Sequence, residues 1–371
     1  MQKKLIAISL VTAGLLAGCT TNHAADPMTL KEAYKNDFLI GVAINQAQFT
    51  DQDKRGDPII KAQFDCISPE NILKWESVHP EPDRYDFTGP DQYVAFGETN
   101  HMAIIGHTLV WHNQTPGWVF KDEQGKPLTR EALLKRLHDH IFTVVGRYKG
   151  RIKGWDVVNE ALNEDGTLRN SPWRRIIGDD YIEKAFEYAH EADPNADLHY
   201  NDYSLENEPK RNGAIALIKK LQSEGIHITA IGLQGHVKMD WPTSTQEDET
   251  ISAFAKLGVK VMISELDIDV VPATQRNRTA DIAANAWQAS GADDYANGLP
   301  PEMQQALAER YAELFKVFLK HRDAITRVTF WGVTDGDSWL NGRNRVNHPL
   351  LFDRAGQPKP AFYSVLKVAE E

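Results

Sequence analysis

Two glutamates, Glu160 in WDVVNE and Glu265 in VMISELD, each stand where a short apolar run gives way to a polar loop. Carboxylates are almost never fully buried without partners, and an isolated charge in apolar surroundings is strongly unfavourable. Two of them, 105 residues apart in similar settings, read as a working pair in which one carboxyl gives a proton while the other stays ionised. Cleavage of glycosidic bonds is the commonest chemistry arranged in this way. Strand-end carboxylates neutralised by ion pairs would look the same from position alone.

Such a pair needs a frame, and the sequence supplies one. From about residue 30 onward, β-rich runs cover 38–44, 64–68, 102–110, 152–158, 197–202, 228–234, 259–266 and 325–333. Amphipathic stretches separate them. In 130–150, Leu133, Leu137, Ile141 and Val144 recur at helical spacing; 171–192 opens with Ser171-Pro172, a cap followed by a first-turn proline; 207–225 and 300–321 repeat the scheme. Strands separated by helices imply right-handed crossovers and a parallel sheet, and eight rounds predict a (β/α)8 TIM barrel forming a single catalytic domain over residues 30–371. An open doubly wound sheet is the alternative, but no glycine-rich nucleotide fingerprint follows the first strand. Residues 272–300 form a long polar, Ala-rich insertion, expected as a loop on the barrel's C-terminal face.

A barrel gathers its chemistry at the C-terminal ends of its strands. There the sequence places Glu70, Asn71 and Lys74, then His107, Trp111, His112 and Gln114, then Asn159 and Glu160. Asn201 and Tyr203 follow strand five, Gln234 and His236 strand six, Glu265 and Asp267 strand seven, and Trp331, Asp337 and Trp339 strand eight. Amides, imidazoles and carboxylates suit a neutral polyhydroxyl ligand, and the indoles of Trp75, Trp111, Trp331 and Trp339 offer faces for sugar rings. Glu265 and Asp267 are two residues apart, so a strand points both to one side. Asn159 and Glu160 are adjacent, and both can serve one site only if the chain bends between them.

The ends of the chain carry other signals. Lys3 and Lys4, an apolar run from Leu5 to Leu16, and Leu16-Ala17-Gly18-Cys19 read as a lipoprotein signal peptide over 1–18, with Cys19 acylated after cleavage and 19–29 a lipid-anchored tether. Thr20, rather than Asp, follows Cys19, the pattern sent to the outer membrane or cell surface of a Gram-negative bacterium. Removing Lys3 and Lys4 with the leader leaves 39 basic against 52 acidic residues, a net of −13, which repels phosphate backbones and excludes nucleic acid as a partner. With Cys19 acylated, Cys66 in QFDCIS has no disulfide partner, and it reads as a small buried hydrophobe.

ENILKWE, GHTLVWHNQTPGW, WDVVNEAL, NDY, GLQGH, ISELDI and WGVTDGDSWL together resemble the successive signatures of glycoside hydrolase family 10, the endo-β-1,4-xylanases, from about residue 30 to the C-terminus. The resemblance implies a retaining mechanism with Glu160 as acid/base and Glu265 as nucleophile. It further implies that His236, Asp267 and Asn159 support them and that Glu70, Asn71, Lys74, His107, Trp111, Gln114, Tyr203, Gln234, Trp331 and Trp339 bind substrate. Trp339 is expected to crowd the position where glucose carries its hydroxymethyl group, favouring xylan and xylooligosaccharides. Neither cofactor nor metal is implied, and a monomer is expected. A β-1,4-glucanase of the same barrel class and a non-catalytic cell-surface xylan-binding protein remain open at this stage. The arginines of 341–345 find no place in the resemblance.

Overall fold

The computed structural model describes residues 28–271, 295–342 and 345–371. Cys19, the leader and tether, and most of the 272–300 insertion lie outside the described residues.

Among the described residues nine strands form, all paired in parallel: β1 (Leu39–Ile44), β2 (Cys66–Pro69), β3 (Ala103–Val110), β4 (Gly154–Asn159), β5 (Asp197–Asp202), β6 (Ala230–Leu233), β7 (His236–Lys238), β8 (Lys260–Asp269) and β9 (Ile325–Phe330). Each of β1 to β5 pairs with the next, β6 pairs with β8, β8 with β9, and β9 returns to β1. The result is the closed eight-stranded barrel expected from the alternating pattern. The extra strand, β7, continues the line of β6 beyond the Gln234-Gly235 interruption and pairs His236 with Asp267 on β8.

The apolar helix faces pack on this barrel. Leu133, Leu137, Ile141 and Val144 of the Arg130–Arg147 helix are fully buried, and Thr129 caps it by accepting the Ala132 N–H. The stretch 171–192 forms two helices, Pro172–Ile177 and Tyr181–Ala192. Gly178 stands between them at φ +117°, where a side chain would be strained, so the helical spacing cannot run through. Helices at Thr88–Thr99 and Ser244–Ala255 also surround the barrel. Their buried faces mix Tyr93, Val94 and Phe96 with small residues in the first and Ile251 and Phe254 with Glu247 and Thr250 in the second, so the apolar spacing in the sequence is weak there.

The barrel interior carries charge. Asp156 on β4 takes His107 Nδ1 from β3 at 2.9 Å and His199 Nδ1 from β5 at 3.3 Å, and Arg327 Nη2 from β9 approaches to 3.9 Å. Burial alone would push Asp156 up, but the two imidazole bonds and the neighbouring guanidinium hold it well below the usual carboxylate range. Cys66 is buried, and burial pushes its thiol up to about 12, which leaves it an inert core residue.

Candidate active site

The strand ends are irregular where the polar residues gather. Register shifts occur between His107 and Val110 on β3, between Asp156 and Val158 on β4, and between Ile263 and Leu266 on β8. Such shifts re-aim side chains that regular pleating would send the other way. The bend needed between Asn159 and Glu160 is present: β4 ends at Asn159, and Glu160 adopts φ +55°. A non-glycine residue in the left-handed region is uncommon and carries local strain. Gln114 (φ +44°) and Ser204 (φ +53°) repeat this after β3 and β5.

Both carboxylates line one pocket of about 340 Å³, together with Lys74, His107, Trp111, Asn159, Gln234, His236, Trp331 and Trp339. A ladder of buried amides connects them. Asn201 Nδ2 donates to Glu265 Oε1 at 2.8 Å and to Asn159 Oδ1 at 3.0 Å. Gln234 Nε2 donates to Asn159 Oδ1 at 3.2 Å and to Glu160 Oε1 at 3.1 Å. Asn201 is fully buried, so it forms part of the site's floor. Gly232 makes room for it: a Cβ there would lie 2.1 Å from Asn201 Oδ1.

The two glutamates differ sharply in their remaining partners. Glu160 accepts from Trp111 Nε1 at 2.8 Å. Burial and the charges of Asp202 and Glu265 push its carboxyl up to about 7, against the pull of the Trp111 and Gln234 hydrogen bonds. Glu265 accepts from His236 Nε2 at 3.2 Å, and His236 Nδ1 lies 3.0 Å from Asp267 Oδ1. Burial opposes ionisation of Glu265 too, yet the His236 hydrogen bond, the neighbouring His107 and the charge of His236 hold it below its ordinary value. His236 itself loses solvation, but its two carboxylate partners raise it to about 10, so it is a cation at neutral pH. One carboxyl is thus held protonated near neutrality beside another held ionised.

Around this centre, Lys74 is buried and donates to Asn71 Oδ1 at 3.0 Å and Gln114 Oε1 at 2.9 Å, with its ammonium 4.9 Å from the Trp111 ring centre. Gln114 also donates to Glu76 at 2.9 Å. Glu70 directly follows β2; burial and the charge of Asp337 raise it to about 7. Trp331 stands edge-on to His107 and His236, and Trp339 donates from Nε1 to Asp267 Oδ2 at 2.7 Å.

Two expected residues are placed differently. Trp75 is buried, its ring 3.5 Å from His140 and 5.4 Å from Trp173, so it belongs to the aromatic core and has no face free for a sugar. Tyr203 is also buried. Its hydroxyl accepts from Arg169 at 2.8 Å and Lys210 Nζ lies 3.3 Å from its ring centre; it backs the site and is not among the pocket's lining residues. Arg345 pairs with Asp269, with Nη2 at 2.6 Å from both carboxylate oxygens, a structural tie at the end of β8. Sequence position marks Asn201 at a strand end but does not reveal the supporting set of Asp156, His199 and Arg327. The alternation of polar residues along 197–202 is the available signal.

Comparison with known proteins places this architecture. The sequence profile described as glycosyl hydrolase family 10 matches residues 29–368. The endo-1,4-beta-xylanase A of Xylanibacter ruminicola is 42% identical over 350 residues, covering 94% of this chain and 95% of its own length. The endo-1,4-beta-xylanase of Geobacillus stearothermophilus is 41% identical, covering 92% and 98%. A GH10 endoxylanase retrieved from sugarcane soil metagenome superposes with a TM-score of 0.84 at 44% identity, over 92% of this chain and 99% of that one. The intracellular xylanase of Thermoanaerobacterium saccharolyticum, solved as a mutant in complex with xylotriose, gives 0.81 at 37% identity over the same shares.

Proposed function

The chain belongs to glycosyl hydrolase family 10, and on that footing we propose that it is a retaining endo-β-1,4-xylanase with Glu160 as acid/base and Glu265 as nucleophile. The observation that carries the assignment is the opposite displacement of the two carboxyls within one pocket, Glu160 up to about 7 and Glu265 down. Glu265, ionised at neutral pH, attacks C1 of the sugar while Glu160 gives its proton to the leaving glycosidic oxygen. Once the glycosyl-enzyme forms, the negative charge of Glu265 is consumed, Glu160 is left ionised, and it takes a proton from the water that releases the sugar. Asn159, held by Asn201 and Gln234, presents its Nδ2 beside this centre.

Substrate choice follows from the walls. The Trp339 indole is pinned by its bond to Asp267, so it cannot swing aside for a hydroxymethyl group, which supports xylose over glucose units in xylan and xylooligosaccharides. Lys74, Asn71 and Gln114 form a bonded group beside Trp111 and are assigned to the glycone side; Glu70 joins them, while Tyr203 acts by backing the wall.

The leader and Cys19 support export as a lipoprotein on a Gram-negative outer membrane, with the enzyme acting as a monomer. Leu30, the first helical residue, bonds to Gln63 just ahead of β2, so a tether would join the strand-start face, opposite the pocket. Cys19→Ala is expected to release activity from the membrane fraction; retention there would rule out the lipid anchor.

A pair of variants tests the catalytic assignment. Glu265→Ala is expected to lose turnover on every substrate. Glu160→Ala is expected to lose xylan while still cleaving aryl xylosides with activated leaving groups, with azide trapping the sugar. Wild-type xylan hydrolysis by Glu160→Ala would overturn it.

A further inference from the structure

The turn that aims Glu160 is tied down from behind. Ala161, the next residue, donates its N–H to the hydroxyl of Tyr200 at 3.1 Å, and that hydroxyl donates to Asp202 Oδ2 at 2.5 Å. The other oxygen, Asp202 Oδ1, lies 2.9 Å from Lys210 Nζ and accepts the Tyr203 N–H at 2.9 Å. Asp202, Tyr200 and Lys210 are fully buried. On its other side the turn is held by the Glu160 N–H bond to the Asn201 carbonyl at 2.9 Å and by Arg169 Nε donating to the Glu160 carbonyl at 3.2 Å.

A left-handed glutamate persists only where its surroundings over-determine it. The backbone bonds on either side of Glu160 could be supplied by many side chains, yet the Tyr200 hydroxyl is backed by a buried carboxylate. An anion in that position costs solvation unless it serves as more than an acceptor. We propose that Asp202, acting through Tyr200, is a positioning residue for Glu160, clamping the peptide that follows it and placing a fixed buried charge behind the acid/base.

The electrostatic surroundings agree in sign. Asp202 is the leading charge that raises Glu160, ahead of Glu265. Burial also raises Asp202 itself, and the Lys210 ammonium and the Tyr200 hydroxyl oppose that. The other titratable groups facing Asp202 are Tyr181, on the helix packed against this strand, and Glu164, 3.6 Å from Lys210 and half exposed. Lys74 approaches Glu160 from the pocket side, so Asp202 offsets a cation on the substrate face.

The role rests on Glu160 being the acid/base, so Glu160→Ala is run beside the test variants. Asp202→Asn keeps an acceptor for Tyr200 and removes the charge. Its kcat/KM on xylooligosaccharides is expected to lose its alkaline limb at lower pH, by roughly 1 unit, the size of effect one neighbouring charge has. The acid limb is expected to stay in place, and so is kcat/KM on an aryl xyloside whose leaving group needs no proton. Tyr200→Phe keeps the charge and cuts both hydrogen bonds. It is expected to lower kcat/KM on xylooligosaccharides about tenfold and to spare kcat/KM on the aryl xyloside, which reports only the step that needs no proton.

An unmoved alkaline limb in a folded Asp202→Asn overturns the charge role. Equal losses on both substrates in Tyr200→Phe overturn the clamp, and that variant decides alone if Asp202→Asn does not fold. Should Glu160→Ala hydrolyse xylan normally, the acid/base assignment falls instead.

Discussion

His236 is the cation on which the ionised state of Glu265 depends most, and His236→Asn tests that dependence. Its ring is held at about 10 against an ordinary 6.5, a preference for the imidazolium of about 5 kcal/mol divided between Glu265 and Asp267. Asparagine at 236 still offers one donor but no charge. Glu265 and Asp267, on one side of β8 and bridged by the ring at 3.2 and 3.0 Å, then face each other across an uncharged group. Asn201 still donates to Glu265, so part of the stabilisation survives. If half of the preference belongs to Glu265, its protonation moves up by roughly 1–2 pH units. The assay is kcat/KM against pH on an aryl xyloside with an activated leaving group, where protonation by Glu160 is not limiting. The acid limb is expected to rise by that amount, with a loss in rate of about a hundredfold at mid-range. An acid limb within about 0.3 pH units of wild type, well under the shift one lost charge produces, would refute the reasoning, because Glu265 would then be indifferent to the imidazolium.

The same residue fixes a stability window. His236 is raised on folding, so its contribution is fully present below the unfolded value of 6.5 and is lost as pH rises through about 10. Urea unfolding of wild type is therefore expected to show stability falling between these values, and His236→Asn to show a flatter profile.

Three further outcomes follow from other contacts. Trp111→Phe removes the Nε1–H donor to Glu160, a bond that favours the carboxylate, so the alkaline limb of kcat/KM is expected to rise from about 7 by roughly 1 pH unit; a fall would contradict the sign. Gly106→Ala would put a Cβ 2.1 Å from Trp155 Cε3, and calorimetry is expected to show a lower Tm from about 1–3 kcal/mol of overpacking. His140, buried and stacked on Trp75, is held well below 6.5 by burial and then by His79. Stability is full above 6.5 and lost as pH falls below it, because the unfolded chain takes the proton first; His140→Phe is expected to flatten that acid slope in thermal melts.

The barrel was legible because its strands are short, apolar and separated by helices with clear apolar stripes, as at Leu133 to Val144. The shared face of Glu265 and Asp267 was legible for a related reason: spacing of two along a strand is a geometric statement, whereas the place of His236 between them is what the family resemblance implies. Legibility fails where polar side chains point into the barrel. Asp156, His199 and Arg327 are separated widely in sequence and meet only because β4, β5 and β9 close on one another, and no local pattern marks that closure. Trp75 misled for the converse reason, since position near a strand end does not say which way an indole turns. Gly178 was visible as a residue, but its positive φ, which ends one helix and starts another, was not.

Glu160 and Glu265 also show why residue type and strand position cannot by themselves assign acid and nucleophile. Both are nearly fully buried, and burial raises both. What separates them is the backbone. Glu265 stays within an extended strand, so its neighbour two residues on shares its face and can recruit a cation between them. Glu160 leaves its strand at φ +55°. It meets instead the uncharged donors Trp111, Gln234 and, at 3.4 Å, Asn159, and the field of Asp202. Straightening that turn would carry the carboxyl toward the opposite face of β4 and away from those donors. The division of labour between two identical side chains is therefore set by one backbone angle, and variants that relax the turn without touching Glu160, such as Tyr200→Phe, are expected to impair proton donation while leaving Glu265 able to attack an activated substrate.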